Sequence, residues 1–402
     1  MIELKNIKSH FPIFQHHPDL VYLDNAATTQ KPKSVIDAIS NFYEKENANI
    51  HRGIYPLAVS ASQRYEAVRG KVAQFLNAES ADEIVYTSGT TASINLVAHS
   101  FLSPRLEAGD EVIISVMEHH ANLIPWQMTC KNAGAHLRVI PMNQLGELDL
   151  TAFKNMLSSK VKMVAITHIS NSLGTINPIA EMIDLAHQNN IPILVDGAQS
   201  VAHYPIDLQA LEVDFFTFSG HKLFGPTGIG ILYGKKKYLS KMQPYQFGGD
   251  MIKNVTFEET TFADAPQRFE AGTTNIAGVI GLGVAIDFVN ELDRNVVRSF
   301  LKKMESDLAD KLLNVNGLSV VGQAKNKSAI VSFSMENIHP HDIATFLGAE
   351  NIAIRAGHHC TQPVMDFFQI PATTRASFSI YNQAAEVDFF VEKVKEIKQF
   401  FG

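Results

Sequence analysis

A chain of 402 residues, 46% apolar and 19% charged, has room for two domains, or one large domain with an appendage, around a sizeable core. Its formal charge of −7 argues against non-specific nucleic-acid binding, which needs a concentrated basic surface. The start, MIELKNIKSH, lacks a signal peptide's apolar run, IAGVIGLGVAI from Ile276 is short of the roughly 20 residues that cross a bilayer, and two cysteines, Cys130 and Cys360, favour a reducing cytoplasm over a disulfide framework.

Short apolar runs alternate with longer helical patterns. DEIVYTSGT reads as a strand ending in a polar, glycine-containing turn, followed by the helix-like TASINLVAHSF. DEVIISVMEHH, VKMVAITHISN, IPILVDGAQ and VDFFTFSGHK are further strands, each closed by polar residues, with helices such as PIAEMIDLAHQNN between them. Continuous apolar strands separated by helices predict an α/β fold with a mostly parallel central sheet flanked by helices. Ligands gather at the carboxyl ends of such strands, which gives Thr87 to Thr91, His119, Asn171, Asp196, Gln199 and Lys222 a common location. After about residue 281 one long helical pattern, GLGVAIDFVNELDRNVVRSFLKKMESDLADKLL, leads into the short strands SAIVSFSM, NIAIRAG and RASFSIYN and a last helix, AAEVDFFVEKVKEIKQFF. This predicts a large domain over 19–281 and a smaller α+β C-terminal domain over 282–402, with 1–18 packing against the smaller one.

The chemistry concentrates after the strands. Asp196 ends IPILVD, where a carboxylate is either the cap of the turn GAQS or something more. Lys222, in SGHKLFG, follows the next strand. Together the two fit pyridoxal 5'-phosphate (PLP): the lysine forms a Schiff base with the aldehyde and the acid partners the pyridinium nitrogen. The cofactor's phosphate suits TSGTT at 87–91, including Thr90 and Thr91, where N–H groups and hydroxyls face an anion at a helix start. Ser219 and His221 are further phosphate donors. His119 suits the ring face, although the adjacent His120 is an equal candidate. Cys360 closes RAGHHC, where two imidazoles favour the reactive thiolate. A metal site at His358, His359 and Cys360 is the rival, but three adjacent residues do not readily converge on one ion. Arg375, placed at the opening of the strand RASFSIYN, shares a face with Ser377 and Ser379 and suits a bidentate clamp on a substrate carboxylate; Arg355 is a weaker candidate. The tract GKKKYLSK from Gly234 reads as a solvated charged face.

With these residues in place, the chain resembles the cysteine desulfurases of the class V aminotransferase group within PLP fold type I, and specifically their SUF-type (group II) branch. The likeness runs through YLDNAATTQKP, NIHRG, TSGTTASIN, EHHANLIPW, SNSLGT, VDGAQS, SGHKLFGPTGIGILYG, FEAGT, RAGHHC and RASFSIYN. The run into RAGHHC has no long insertion, which points to group II rather than the group with a mobile cysteine loop. The resemblance implies a cytoplasmic homodimer that converts L-cysteine to L-alanine, takes the sulfur as a persulfide on Cys360, and passes it to a SUF-type acceptor protein for iron–sulfur cluster assembly. It implies no membrane or nucleic-acid partner. Lys222 would be the Schiff-base lysine, Asp196 the partner of the ring nitrogen, His119 the stacking residue, and Gln199 the contact of the ring hydroxyl. Asn171 would lie near that hydroxyl and the substrate carboxylate. Thr91, Ser219 and His221 would hold the phosphate, with Thr273 reaching across from the other subunit. Arg375 would hold the carboxylate, and His51 and Arg52 would lie near the pocket. Thr274, Tyr55-Pro56 and Asp250 depart from the family's usual residues in segments that shape the interface and pocket rim. Selenocysteine lyase, an aminotransferase with no need of Cys360, and a non-enzymatic sulfur- or metal-binding scaffold are the competing functions.

Overall fold

The computed structural model describes residues 4–401; Met1 to Glu3 of the N-terminal segment and the terminal Gly402 lie outside the described residues. Seven strands form the main sheet: β1 (Ile84–Thr87), β2 (Glu111–Ser115), β3 (His136–Ile140), β4 (Val161–Thr167), β5 (Ile193–Asp196), β6 (Phe215–Ser219) and β7 (Gly230–Gly234). Their spatial order is β1-β7-β6-β5-β4-β2-β3, and only β7 runs against the others. Successive side chains of one strand enter two different cores. Ile113, Val164, Ile166, Ile193, Val195, Phe216 and Phe218 face one, while Val112, Ile114, Met163, Ala165, Leu194 and Phe215 face the other. Both faces are covered by helices, so the strands read as unbroken apolar runs rather than alternating ones. Cys130 is part of the second core, where its thiol packs as a small apolar group.

The long helical pattern after residue 275 is two helices, Ile276–Asn290 and Arg294–Leu313. The break falls at Asp293, whose Oδ1 accepts from the N–H groups of Asn295 and Val296 and so starts the second helix. The first helix is apolar around most of its girth because it is buried around most of it, with only Asp287 and Asn290 exposed. Gly281 and Gly283 let neighbouring helices close in: a Cβ at the former would meet Ile39 at 2.9 Å, and at the latter Val68 at 2.6 Å. Among the described residues no helix is long and apolar enough to cross a membrane.

A second, antiparallel sheet joins β8 (Leu318–Val321), β9 (Ile330–Met335), β10 (Arg355–Gly357) and β11 (Thr373–Ser377) in the order β8-β9-β11-β10. Here the sequence reading needs correction. Arg375 is the third residue of β11 rather than its first, and the strand ends at Ser377, where the Ser377 N–H donates to the Leu23 carbonyl. Tyr22, Leu23 and Asp24 run alongside this smaller sheet: Val21–Tyr22 pairs in parallel with Ile352–Ala353. Further toward the N-terminus, Lys8 pairs with Glu386 at 2.7 Å and Phe11 packs edge-on against Tyr381.

Candidate active site

The carboxyl ends of β1, β2, β4, β5 and β6, the loop around Ala26 and the smaller sheet enclose a cavity of about 300 Å³. Lys222 lies in the turn after β6 and lines it, together with Asp196 from the end of β5 and His119 from the loop after β2. Burial lowers the Lys222 amine from its usual 10.5 to about 8, with Arg375 acting in the same direction and Asp196 opposing it. A lysine so placed is about one-tenth free amine at pH 7 and about half at pH 8, far more than an ordinary lysine, which favours it as a nucleophilic amine. Burial also raises the Asp196 carboxyl, against the pull of the Ala198 N–H and of Lys222. Asp196 caps the turn, its Oδ1 accepting from the Ala198 N–H at 2.9 Å, and its carboxyl also lines the cavity. Of the two adjacent histidines it is His119 that lines this cavity. Its Nδ1 accepts from the Ala121 N–H at 3.0 Å, and burial, then Lys222, lowers its imidazole to about 3, so it is neutral with its proton on Nε2.

One end of the cavity is suited to an anion. Thr90 and Thr91 open the helix Thr90–Leu96, and Ser219 and His221 approach from the far side. The Ser219 hydroxyl accepts from the Thr90 N–H and donates to the Thr90 hydroxyl, both at 2.9 Å, which fixes the two groups relative to each other. Gly89 has φ of 153°, and a Cβ there would come within 3.3 Å of Ser219 Oγ. Hydroxyls and N–H groups, a buried carboxyl, a lysine made easier to deprotonate by burial and a neutral imidazole form a donor set that fits PLP.

The smaller sheet contributes the remaining groups. Arg375 is buried; Nη1 donates to the Asn171 carbonyl at 2.9 Å, Nη2 to Asp24 at 3.2 Å, and Nε has no partner. Burial lowers it only to about 10, so it stays a cation. Arg355 is more exposed and holds Asp24 through Nε at 3.1 Å and Nη2 at 2.9 Å. Cys360 is a free, exposed thiol lining the same cavity. It and His359 both adopt left-handed backbone, with φ of 56° and 54°. Two hydrogen bonds from the larger sheet's loops hold this turn: Asn171 Nδ2 to the His359 carbonyl and the His120 N–H to the Cys360 carbonyl, each 2.7 Å. His359 is turned away toward Thr373, with Nε2 2.8 Å from its hydroxyl, and burial lowers it to about 3. Its imidazole is therefore neutral and supplies no charge to the thiol, contrary to what the adjacent histidines suggest. Among the described residues no group of three or more His, Cys, Asp or Glu side chains could hold a metal ion.

The Aminotransferase class-V family model matches residues 21–390. A cysteine desulfurase of Escherichia coli O7:K1 is 46% identical over 400 residues, 98% of each chain, and a probable cysteine desulfurase of Halalkalibacterium halodurans is 45% identical over 399 residues, again 98% of each. The chain belongs to the class-V aminotransferase family, among its cysteine desulfurases. Solved structures agree. The cysteine desulfurase CsdA from Escherichia coli superimposes with a TM-score of 0.94 at 39% identity, covering 100% of both chains. A cysteine desulfurase from Thermococcus onnurineus does so with 0.95 at 34%, covering 100% of this chain and 99% of that one. Cysteine desulfurases of this family are PLP-dependent enzymes.

Two residues that the family resemblance points to lie outside the cavity of this chain. His51 is exposed, with φ of 71° and Nε2 3.1 Å from Glu66, which raises its imidazole. Thr273 is exposed on the surface. Both border a buried network in which Arg69 pairs with Glu270 through Nη1 at 2.7 Å and Nη2 at 2.9 Å. Thr274 joins this network by donating to the Tyr65 hydroxyl at 2.9 Å, and Asp250 pairs with Arg52 at 3.0 Å. Sequence reasoning missed three charged residues in and behind the desulfurase site. Asp24 orders both arginines. Lys31 reaches the His221 carbonyl at 2.8 Å. Glu118, fully buried and raised to about 8 by burial, takes hydrogen bonds from Ser115, Asn122 and the Thr167 N–H. An acid and a lysine amid the small residues of YLDNAATTQKP were the available signal for the first two.

Proposed function

We propose that this enzyme is a PLP-dependent cysteine desulfurase that converts L-cysteine to L-alanine, captures the sulfur as a persulfide on Cys360, and delivers it to an acceptor protein of the SUF type for iron–sulfur cluster assembly. The observation that carries the proposal is the convergence of Lys222, Asp196, Arg375 and Cys360 on one cavity from four separate stretches of chain. The division into a PLP-holding part, 19–281, and a smaller cysteine-bearing part, 282–402, belongs to this reading, and the two separate sheets support it. So do a cytoplasmic setting and a homodimer in which Thr273 and His51 serve the neighbouring site, as their exposure would allow.

Thr90, Thr91, Ser219 and His221 would hold the cofactor's phosphate, Lys222 its aldehyde carbon, Gln199 and Asn171 the ring hydroxyl, and His119 the ring face. When bound, PLP supplies a carbon that condenses with amines and a ring that accepts electrons released at the substrate's Cα. Asp196 holds a proton at the ring nitrogen. Arg375 receives the substrate carboxylate at its unpartnered Nε, with Asn171 and Arg355 bordering it. Lys222, its basicity lowered by burial, takes the proton from Cα as the free amine and can return a proton to carbon. The Cys360 thiolate attacks the substrate Sγ: the S–S bond forms, the Cβ–Sγ bond breaks, and its electron pair stays on carbon, where protonation completes alanine. Thiol plus cysteine thus gives persulfide plus alanine, with no external oxidant.

The test has two parts. Borohydride reduction and peptide mapping should place the cofactor label on Lys222 alone. L-Cysteine should yield alanine, together with sulfide when a reductant is present, and Cys360→Ala should abolish most of that yield. A label elsewhere, or undiminished turnover without Cys360, overturns the reading. Selenocysteine assayed on the same preparation measures whether the enzyme favours sulfur, as proposed.

A further inference from the structure

The turn carrying Lys222 is gripped by residues that the proposed reaction leaves without a part. Four donors converge on the His221 carbonyl oxygen, in the peptide immediately before Lys222. They are the Thr29 N–H at 3.1 Å, the Thr28 and Thr29 hydroxyls at 3.1 Å each, and the Lys31 ammonium at 2.8 Å. A carbonyl offers two lone pairs and is satisfied by one or two donors, so the excess needs a reason. Thr29 Oγ1 extends the grip to the far side of Lys222 by accepting from the Phe224 N–H at 3.0 Å. Within the turn, the Leu223 and Gly225 N–H groups both donate to the Gly220 carbonyl at 2.9 Å.

Lys31 is the unusual member. Its remaining partners are the Thr29 carbonyl and, at 3.4 Å, the Thr28 hydroxyl; the ion pairs found among the described residues include none to a carboxylate. Withdrawing an ammonium from water costs free energy that neutral carbonyls only partly return. A plain tether between the loop and the sheet would need only the threonine groups.

We infer that Lys31 is a positioning residue for Lys222: by clamping the His221 carbonyl it sets the peptide plane from which the Lys222 side chain departs. The inference rests on Lys222 being the PLP-bearing residue, as proposed above. A misoriented amine would still bind PLP, but it would deliver and accept protons at Cα less well.

The experiment uses the holoenzyme and three readouts: the midpoint of the pH titration of its visible absorbance, the separate kcat and KM for L-cysteine, and the melting temperature. Asp196, Arg375, Cys360 and Arg355 are the charged or titratable groups acting on Lys222, and His221 is the one acted on by Lys31; all are unchanged in the variants. In Lys31→Met the midpoint should move by roughly half a unit, because Asp196, which raises the Lys222 amine, and Arg375, which lowers it, act across separations that the clamp sets. kcat should fall about tenfold with KM held within about twofold, the pattern of lost orientation rather than lost binding. Lys31→Arg should recover most of both. A Lys31→Met enzyme with unchanged midpoint and kcat, whether or not it melts earlier, overturns the inference and leaves Lys31 a tether. Should Lys31→Met not fold, Thr28→Val removes one donor and should give smaller changes in the same directions; no change there is equally fatal. Borohydride mapping of the unmodified enzyme keeps the two claims apart: no label at Lys222 sinks the proposed function, whereas a label with unresponsive variants sinks only the clamp.

Discussion

Replacing Arg375 by lysine probes the substrate side of the site. The guanidinium is buried and already committed through Nη1 to the Asn171 carbonyl and through Nη2 to Asp24, leaving Nε as the free donor. Lysine keeps a positive charge but has one nitrogen for three acceptors, so a bound carboxylate loses at least one charge-assisted hydrogen bond. Such a bond contributes about 1.5–3 kcal/mol. At 1.4 kcal/mol per factor of ten, KM for L-cysteine should rise roughly 10- to 150-fold. The carboxylate is not the reacting group, so kcat should stay within about threefold. The assay is alanine release against cysteine concentration, paired with inhibition by L-alanine and by ethylamine, which is alanine without its carboxylate. The variant should lose affinity for alanine by a factor similar to the rise in KM and keep its affinity for ethylamine. Equal losses for both inhibitors, or an unchanged KM, would mean that the carboxylate is bound elsewhere.

Cys360→Ala should retain the visible absorbance of bound PLP while alanine formation from cysteine drops by roughly 10²-fold or more; absorbance and an amino-acid assay on one sample suffice. With Lys222 lowered to about 8, its free-amine fraction grows as pH rises toward that value. PLP uptake by cofactor-free enzyme, followed by absorbance, should therefore quicken about tenfold per pH unit below 8 and level off above it; acceleration continuing to pH 10 would contradict the shift. In Arg69→Met the Glu270 carboxylate, 3% exposed like its partner, is left buried without its arginine. Urea unfolding should then show a loss of about 3–5 kcal/mol; a loss below 1 kcal/mol would show that Glu270 finds water or a proton instead.

Much of the site was legible along the chain because parallel-sheet topology turns a sequence rule into a spatial one. Thr90, His119, Asn171, Asp196 and Lys222 each follow an apolar run, and strands running the same way must deliver their carboxyl ends to one edge. Arg375 was recognised by type but misplaced within its strand, since TTRAS has no turn signal to mark where pairing begins. The long helix looked continuous because ELDRN contains neither glycine nor proline, yet an aspartate cap is enough to restart it.

What the sequence determined by itself is the inventory of reactive groups and the edge on which they meet, because strand direction and burial follow from local pattern. What only the tertiary structure decided is which groups are paired and which are free. Asp24 meets Arg355 and Arg375 across 331 and 351 positions, Lys31 meets the His221 carbonyl across 190, and His359 turns to Thr373 rather than to the thiol beside it. Charge state and orientation depend on desolvation and on neighbours distant in sequence, and these exist only once the chain has closed around them.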